Sequence, residues 1–503
     1  ALERNWIQGR RRVTNRYFIG IDSGTSGTKT VLIDNNGEIV SSAYYGYPLI
    51  KPGKYMVEQD ANQWWNAVVE TVKQCCKKID RKQIKAIAVS AQAGCVVPLK
   101  DGKPMGNALS WLDSRSHHEA DEVLGRIGND RIYKKTGWRI SPGMSFPKII
   151  WYKEHMPKVY EACEKFLTTV DYINFMLTGE YIMDPSNASL TQCYNLLNNE
   201  WDKEILDLIA LDQNKLPSLL DTGEKIGCLT KQAARVLDLL EETIVVSGAH
   251  DQYCVATGAG VFTPGEMLIA TGTAWANLAV VNKPVFVKEG FLTPGRHAKK
   301  DAWGLLTSIP ASGASMEWFN DNFGGYDLRG DAPVKESFSQ IDKVCSERVF
   351  KDSGVLFYPG QTNVGEKRAA FIGLGLEHDR YDLFLAIMES IAFEVLIQVQ
   401  TFEKLGGKVH SPIMTGGAAK STLWRTILAS VLNRDIVAVN NPELAAIGAA
   451  VIAASGYGEY PDLEQSAKGI KTKKANEQPN QDLVNKYREK FMKYMELRNY
   501  CNG

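Results

Sequence analysis

Three short stretches of the chain carry residue types whose spacing could do chemistry. The first is Ile19-Gly20-Ile21-Asp22-Ser23-Gly24-Thr25-Ser26-Gly27-Thr28-Lys29, the second Gly248-Ala249-His250-Asp251, and the third Met414-Thr415-Gly416-Gly417-Ala418-Ala419-Lys420. The first and third are Gly-rich turns after apolar runs, where backbone N–H groups can close on phosphate oxygens. The second leaves a single carboxylate at the end of a strand. Two phosphate cradles and one acid read together as machinery for phosphoryl transfer. The first stretch is not a P-loop: the Gly-x4-Gly-Lys-Ser/Thr spacing is missing, and β-branched residues continue a strand where a helix should open. An acid placed like Asp22 would hold a magnesium ion through water, because Mg2+ dehydrates reluctantly. Taken singly, each stretch also has a plain structural reading: a Gly-rich hairpin, a helix cap at Asp251, and a strand-to-helix turn at Gly416-Gly417.

The elements that must hold these residues follow from the pattern around them. From Tyr17 the chain reads strand, tight turn and strand, then an Asp34-Asn35-Asn36-Gly37 turn and a third strand from Glu38. Asp60, with Gln63 three residues on, has the form of a capping box. Behind it Trp65, Val68, Val69, Val72 and Cys76 repeat at helical spacing, and Ile84 to Ser90 returns as a buried strand. Ser141-Pro142-Gly143 precedes a helix expected from Lys148 to about Glu154, and Ile244 to Ser247 is the strand that delivers Asp251. Residues 266–278 again read strand, Gly/Thr turn, strand, an echo of the opening that hints at duplication of one fold unit. Leu383, Ile387 and Ile391 mark a long helix, and Leu444 to Ser455 an Ala-rich one narrow enough for close packing.

A chain of 503 residues is too long for one core, so two domains are expected, divided near Gly260 into residues 17–260 and 261–503. Residues 1–16 stand outside the periodic pattern and read as a leader or a disordered arm. Lys+Arg and Asp+Glu balance at 58 each, so no global field steers the protein to nucleic acid or to a membrane surface. The longest low-charge stretch, Met267 to Asn282, reads as strand and turn and not as a bilayer span, and no signal peptide is expected at the start. Nine cysteines without paired CxxC spacing fit a reduced, cytoplasmic compartment.

With these motifs in order, the chain resembles the FGGY carbohydrate kinases, relatives of actin and hexokinase, and among them is most similar to the xylulose kinases. The likeness runs from about Tyr17 to Gly458. Besides the three stretches it rests on Trp111-Leu112-Asp113-Ser114-Arg115, Ser141 to Lys148, Leu177-Thr178-Gly179-Glu180, Ser312 to Phe319 and Glu443 to Ala450. The resemblance implies an α/β architecture of two ribonuclease H-like (actin/hexokinase-type ATPase) domains around a central cleft. Sugar would be held mainly by the first domain and ATP mainly by the second, and cleft closure would exclude water. It implies Asp251 as the general base, Asp22 for Mg2+, and Gly24, Thr25 and Ser26 as the first phosphate turn. Gly272 and Thr273 match the second turn, Gly313 and Glu317 positions lining the nucleotide, and Gly416, Gly417 and Ala418, with Ser421, the loop against the α-phosphate and adenosine. A homodimer is compatible with the resemblance.

On the sugar side the match weakens. Xylulose kinases usually carry Gln-Met-His-Gly after the strand ending at Ser90, whereas this chain has Gln92-Ala93-Gly94-Cys95, with Gly94 where the histidine would be. Gln92 and Asp113 can still hydrogen-bond hydroxyls, Gln252 follows the catalytic acid, and Trp111 is either a wall of the sugar site or core, with core favoured. His250 reads as structural. The sequence therefore points to an ATP- and magnesium-dependent kinase for a ketopentose or related polyol. Its competitors are a kinase for L-xylulose, ribulose, erythritol or gluconate, an actin-like chaperone or filament, and a silent sugar sensor.

Overall fold

The computed structural model describes residues 15–287, 292–324, 335–360, 368–410 and 412–502. The opening apolar run forms β1 (Tyr17–Ser23), which turns sharply into β2 (Gly27–Asp34). Asp34 Oδ1 accepts from the N–H groups of Asn36 (2.8 Å) and Glu38 (2.9 Å), and Gly37 takes φ +76°, so the Asn-Gly turn closes a hairpin onto β3 (Ile39–Gly46). A strand, not a helix, follows the first Gly-rich turn, as the missing P-loop spacing requires.

α1 (Ala61–Cys76) is capped by Asp60, whose side chain accepts from Asn62 N at 2.9 Å; the box expected with Gln63 is not formed. Its buried face runs through Trp64, Val68, Val72 and Cys75, so Trp65 and Cys76 lie at the margin of the stripe and not in its centre. The chain then makes β4 (Ile84–Ala91), α2 (Ser145–His155, opening three residues before the expected Lys148), α3 (Pro185–Leu190), β5 (Lys225–Cys228) and β6 (Ile244–His250). β6 runs without a loop into α4 (Asp251–Ala259).

The second half builds its own sheet from β7 (Met267–Thr271), β8 (Trp275–Val281), β9 (Thr293–Arg296), β10 (Trp303–Ile309), β11 (Pro412–Gly416), β12 (Ile436–Val439) and β13 (Lys474–Glu477). Helices α5 (Ser312–Phe323), α6 (Arg380–Lys404), α7 (Thr422–Leu432) and α8 (Leu444–Tyr457) accompany it. The echo heard in residues 266–278 is a repeat of topology. The first sheet is ordered β5-β6-β4-β1-β2-β3 and the second β13-β12-β11-β7-β8-β10-β9. In each, a run of antiparallel strands, three in the first sheet and four in the second, leads to two parallel strands and an antiparallel edge strand.

Alternation along the strands feeds two faces of each sheet. Ile19, Ile21, Leu32 and Val89 join one core with α1, whereas Phe18, Val31 and Ala88 face inward to a central core. In the second sheet Met267 and Ile269 pack outward with α6, while Leu268 and Val280 face the same central core. That middle layer is α4 and α8, and it is thin because its residues are small. A Cβ on Gly448 would lie 1.9 Å from Cys254 O, and one on Gly20 would lie 1.8 Å from Ala446 O. The glycines let helix backbone touch helix and strand directly. The leader expected over residues 1–16 falls mostly outside the described residues; Arg16 is described and pairs with Glu459 at 2.7 Å.

Candidate active site

Because β1, β4 and β6 are parallel neighbours, their C-terminal ends bring three separate stretches to one edge. The register sets Asp22 opposite Ser90, Ser23 opposite Ala91, and His250 opposite Ala91, so Gln92 and Asp251 emerge side by side. Asp22 is half-buried, and Ser90 Oγ donates to its Oδ1 at 2.8 Å. Burial, and then the neighbouring Asp251 carboxylate, push the Asp22 carboxyl up to about 6. An acid raised by a neighbouring carboxylate marks a place where a divalent cation would relieve the repulsion, and all-oxygen donors suit Mg2+. Asp22 and Asp251 therefore fit the ion the sequence calls for.

Asp251 opens α4. Its Oδ1 is buried without a hydrogen bond, although His250 Nε2 lies 3.1 Å away without hydrogen-bond alignment, and the side chain as a whole is 34% exposed. The joint is held from behind by residues that sequence reasoning did not single out. His250 N donates to Ser186 Oγ at 2.9 Å, and Ser186 Oγ donates in turn to Asp184. Asp184 also accepts from the N–H groups of Ser186 and Asn187, and from Asn187 Nδ2 at 2.6 Å. Asp-Pro-Ser-Asn is legible as a helix start; its reach to a residue 64 positions away is not.

The turn between β1 and β2 carries Gly24, Thr25 and Ser26. Trp111, read from sequence as core, is 44% exposed and donates its indole N–H to Thr25 Oγ1 at 2.9 Å. Its place is beside the turn. Gln92 is nearly buried, donating through Nε2 to Gln59 Oε1 at 2.9 Å, while its own Oε1 has no partner. Gln252 Oε1 is likewise buried and unpartnered. Asp113 does not reach the site. It is fully buried, its Oδ2 accepts from Val57 N at 2.7 Å and Arg115 Nη2 at 2.8 Å, and its Oδ1 from Arg115 N at 3.0 Å. Arg115 continues to Glu58 at 2.7 Å. The expectation that Asp113 accepts from substrate hydroxyls is thus corrected: its acceptor capacity is spent on an internal network.

The Gly94 departure has a backbone cause. Gly94 takes φ +76°, and a Cβ there would lie 2.7 Å from Gly143 O, so no histidine fits this backbone. Lys148, fully buried, donates to both Gly94 O (2.8 Å) and Gly143 O (2.7 Å), and burial lowers its ammonium to about 7. A lysine tying two glycine loops together has no signature in local spacing.

The second half presents a cavity of about 600 Å³. Gly272, Thr273, Gly313, Glu317, Gly417, Ala418 and Ser421 all line it, joined by Trp275, Phe338, Asp342 and Trp424, which the sequence did not flag. Gly416 stands behind the lining: at φ +94° it turns the strand end so that Gly417 N donates to Thr271 O at 3.0 Å and Ala418 N to Thr271 Oγ1 at 3.1 Å. A Cβ on Gly313 would lie 2.2 Å from Gly272 O, so α5 meets the β7–β8 turn backbone to backbone. Ser421 caps α7 by accepting from Trp424 N at 3.1 Å. The volume is that of a small-molecule site. No helix among the described residues is long and apolar enough to cross a membrane, and all nine cysteines are free.

The chain is 30% identical over 493 residues to the xylulose kinase of Bacillus subtilis, covering 96% of each chain. Two solved structures from Lactobacillus acidophilus, a gluconate kinase and a ligand-bound xylulose kinase, each align at 25% identity with a TM-score of 0.86. Both cover 97% of this chain, and the alignment covers 98% and 99% of theirs. Residues 17–258 match the N-terminal domain of the FGGY family of carbohydrate kinases and residues 267–457 its C-terminal domain. The chain belongs to the FGGY family of carbohydrate kinases, with that family's two-domain, actin- and hexokinase-like fold.

Proposed function

We propose that the protein transfers the γ-phosphoryl group of ATP to a hydroxyl of a ketopentose, or of a related sugar or polyol. The observation that carries this reading is the pair of carboxylates, Asp22 and Asp251, at the C-terminal ends of parallel strands of one sheet, with Asp251 close enough to raise the Asp22 carboxyl. Asp251 accepts the proton of the attacking hydroxyl. The transition state for phosphoryl transfer is loose, so little proton removal is needed early and a plain carboxylate suffices. Asp22 would hold Mg2+, and the ion would supply neutralisation of charge on the phosphate oxygens. The Thr25 turn and the loops at Gly272-Thr273 and Gly416-Gly417-Ala418 cradle the phosphates, and the cavity between α5 and α7 takes the nucleoside. We place the division between the sugar-binding and nucleotide-binding portions near Gly260.

The buried, unpartnered oxygens of Gln92 and Gln252 support a hydroxyl-bearing partner, since buried acceptors call for donors. The equal likeness to a gluconate kinase and a xylulose kinase keeps aldonates beside pentuloses as acceptors. The test is ADP release from Mg–ATP with a panel of pentuloses, hexuloses, polyols and aldonates. We expect release that depends on one acceptor class. Release independent of every acceptor would instead favour an actin-like, hydrolysis-driven chaperone or filament.

A further inference from the structure

The turn Gly24-Thr25-Ser26 is gripped from outside by three side chains. Tyr47 Oη donates to Gly24 O at 2.7 Å, Gln59 Nε2 to Thr25 O at 2.8 Å, and Tyr44 Oη to Ser26 O at 3.1 Å. In a planar trans peptide the N–H points opposite to the C=O. Fixing the carbonyls of Gly24 and Thr25 therefore aims the N–H groups of Thr25 and Ser26 the other way. Neither of these N–H groups donates to another group among the described residues. The result is a pair of amides held ready for an anion.

One of the three grips has a direction that propagates. Thr25 O can only accept, so Gln59 must turn its amide nitrogen toward it, and its Oε1 then faces Gln92 Nε2 and Cys95 Sγ. Gln92 is thereby fixed as donor to Gln59. Thr25 is also reached from Trp111, whose indole N–H holds its hydroxyl. Two of the residues that the sequence puts on the sugar side, Gln92 and Trp111, thus lead to one residue of the phosphate turn.

We propose that Gln59 is a positioning residue that couples the sugar side of the site to the Thr25 phosphate turn, so that acceptor and nucleotide strengthen one another's binding. The inference rests on the phosphotransfer reading above. Linkage makes the effect reciprocal: whatever the acceptor adds to nucleotide affinity, the nucleotide adds to acceptor affinity.

The test variant is Gln59→Met, close in shape but without either polar atom, and it leaves the Asp60 cap of α1 in place. The affinity of a non-hydrolysable ATP analogue with Mg2+ is measured by calorimetry with and without D-xylulose, and with and without D-gluconate. In the unaltered protein the acceptor that supports ADP release should tighten nucleotide binding about fivefold or more. In Gln59→Met that ratio should fall to about one. General loosening would weaken both affinities and leave the ratio intact. A ratio retained in the variant, or absent from the unaltered protein with a working acceptor, overturns the inference. If neither sugar supports ADP release, hydrogen exchange of the free protein decides it. The amide of Gly24, which donates to Gly27 O at 3.0 Å across the turn, should exchange about tenfold faster in Gln59→Met, with β1 and β4 unaffected, and unchanged exchange there overturns the inference. Failure of the phosphotransfer reading would show separately, as ADP release indifferent to every acceptor.

Discussion

The two halves of the molecule share one strand order yet carry different chemistry at the same place in it. In the first sheet the meander strand β1 ends on Asp22-Ser23, and β6 passes directly into Asp251. In the second, β7 ends on Ala270-Thr271, and residues 440–443 separate β12 from α8. One half thus places two carboxylates at its strand ends. The other places glycines, hydroxyls and backbone N–H groups around a cavity. Topology decides that both strand ends become sites. On the proposed reading, the acids of the first half take protons and metal, while the glycines and hydroxyls of the second, together with the Thr25 turn of the first, take phosphate and nucleoside.

This contrast can be broken at several points. The largest effect is expected at Asp251: Asp251→Asn should lower turnover about a thousandfold, read as initial rate of ADP release at saturating substrates. Asp22→Asn should come next, with a fall of about a hundredfold and a higher Mg2+ requirement. It has a second signature in stability. The Asp22 carboxyl is raised from 3.8 to about 6 in the folded protein, so the native state binds its proton more tightly than the unfolded chain does. Metal-free protein should therefore lose stability as pH rises from about 4 to about 6, by about 3 kcal/mol at most. Asp22→Asn should lack that slope, and Mg2+ should raise the thermal midpoint of the unaltered protein alone at pH 7.

In the other half the expected signature is reversed. Gly313→Ala would set a Cβ 2.2 Å from Gly272 O and push the β7–β8 turn aside. It should raise the KM for ATP about tenfold while turnover at saturating ATP changes little. The smallest effect belongs to Ser186→Ala, which removes the hydroxyl that accepts from His250 N. Stability should fall by about 1 kcal/mol and turnover a few-fold, measured by thermal unfolding and by rate.

What was legible in the sequence follows how local its cause is. The Asn36-Gly37 hairpin, the Gly-rich turns, the Ala-rich α8 and the repeated strand-turn-strand all answer to neighbours within a few residues, and the chain writes them plainly. On α1 the expected Val68, Val69 and Val72 are buried, while Trp65 and Cys76 stand one residue from the buried Trp64 and Cys75, which shows the resolution of periodicity alone, since one residue is a rotation of 100°. Partners far apart in sequence were not legible. Asp113 looked like a sugar ligand because its tie to Val57, and that of its neighbour Arg115 to Glu58, cross a fold the sequence does not display. Trp111 looked like core for the same reason: its hydroxyl partner lies 86 positions away. The grip of Lys148 on two glycine loops, and of Ser186 on His250, belongs to that class too.

The division of labour between the halves is tested most directly by titrating Asp251→Asn with Mg–ATP in a calorimeter, beside its rate of ADP release. Nucleotide affinity within about twofold of the unaltered protein, together with the thousandfold loss of turnover, is the predicted result. Near-normal turnover, or affinity and turnover falling together, would contradict a first-half carboxylate acting on a nucleotide held by the second half.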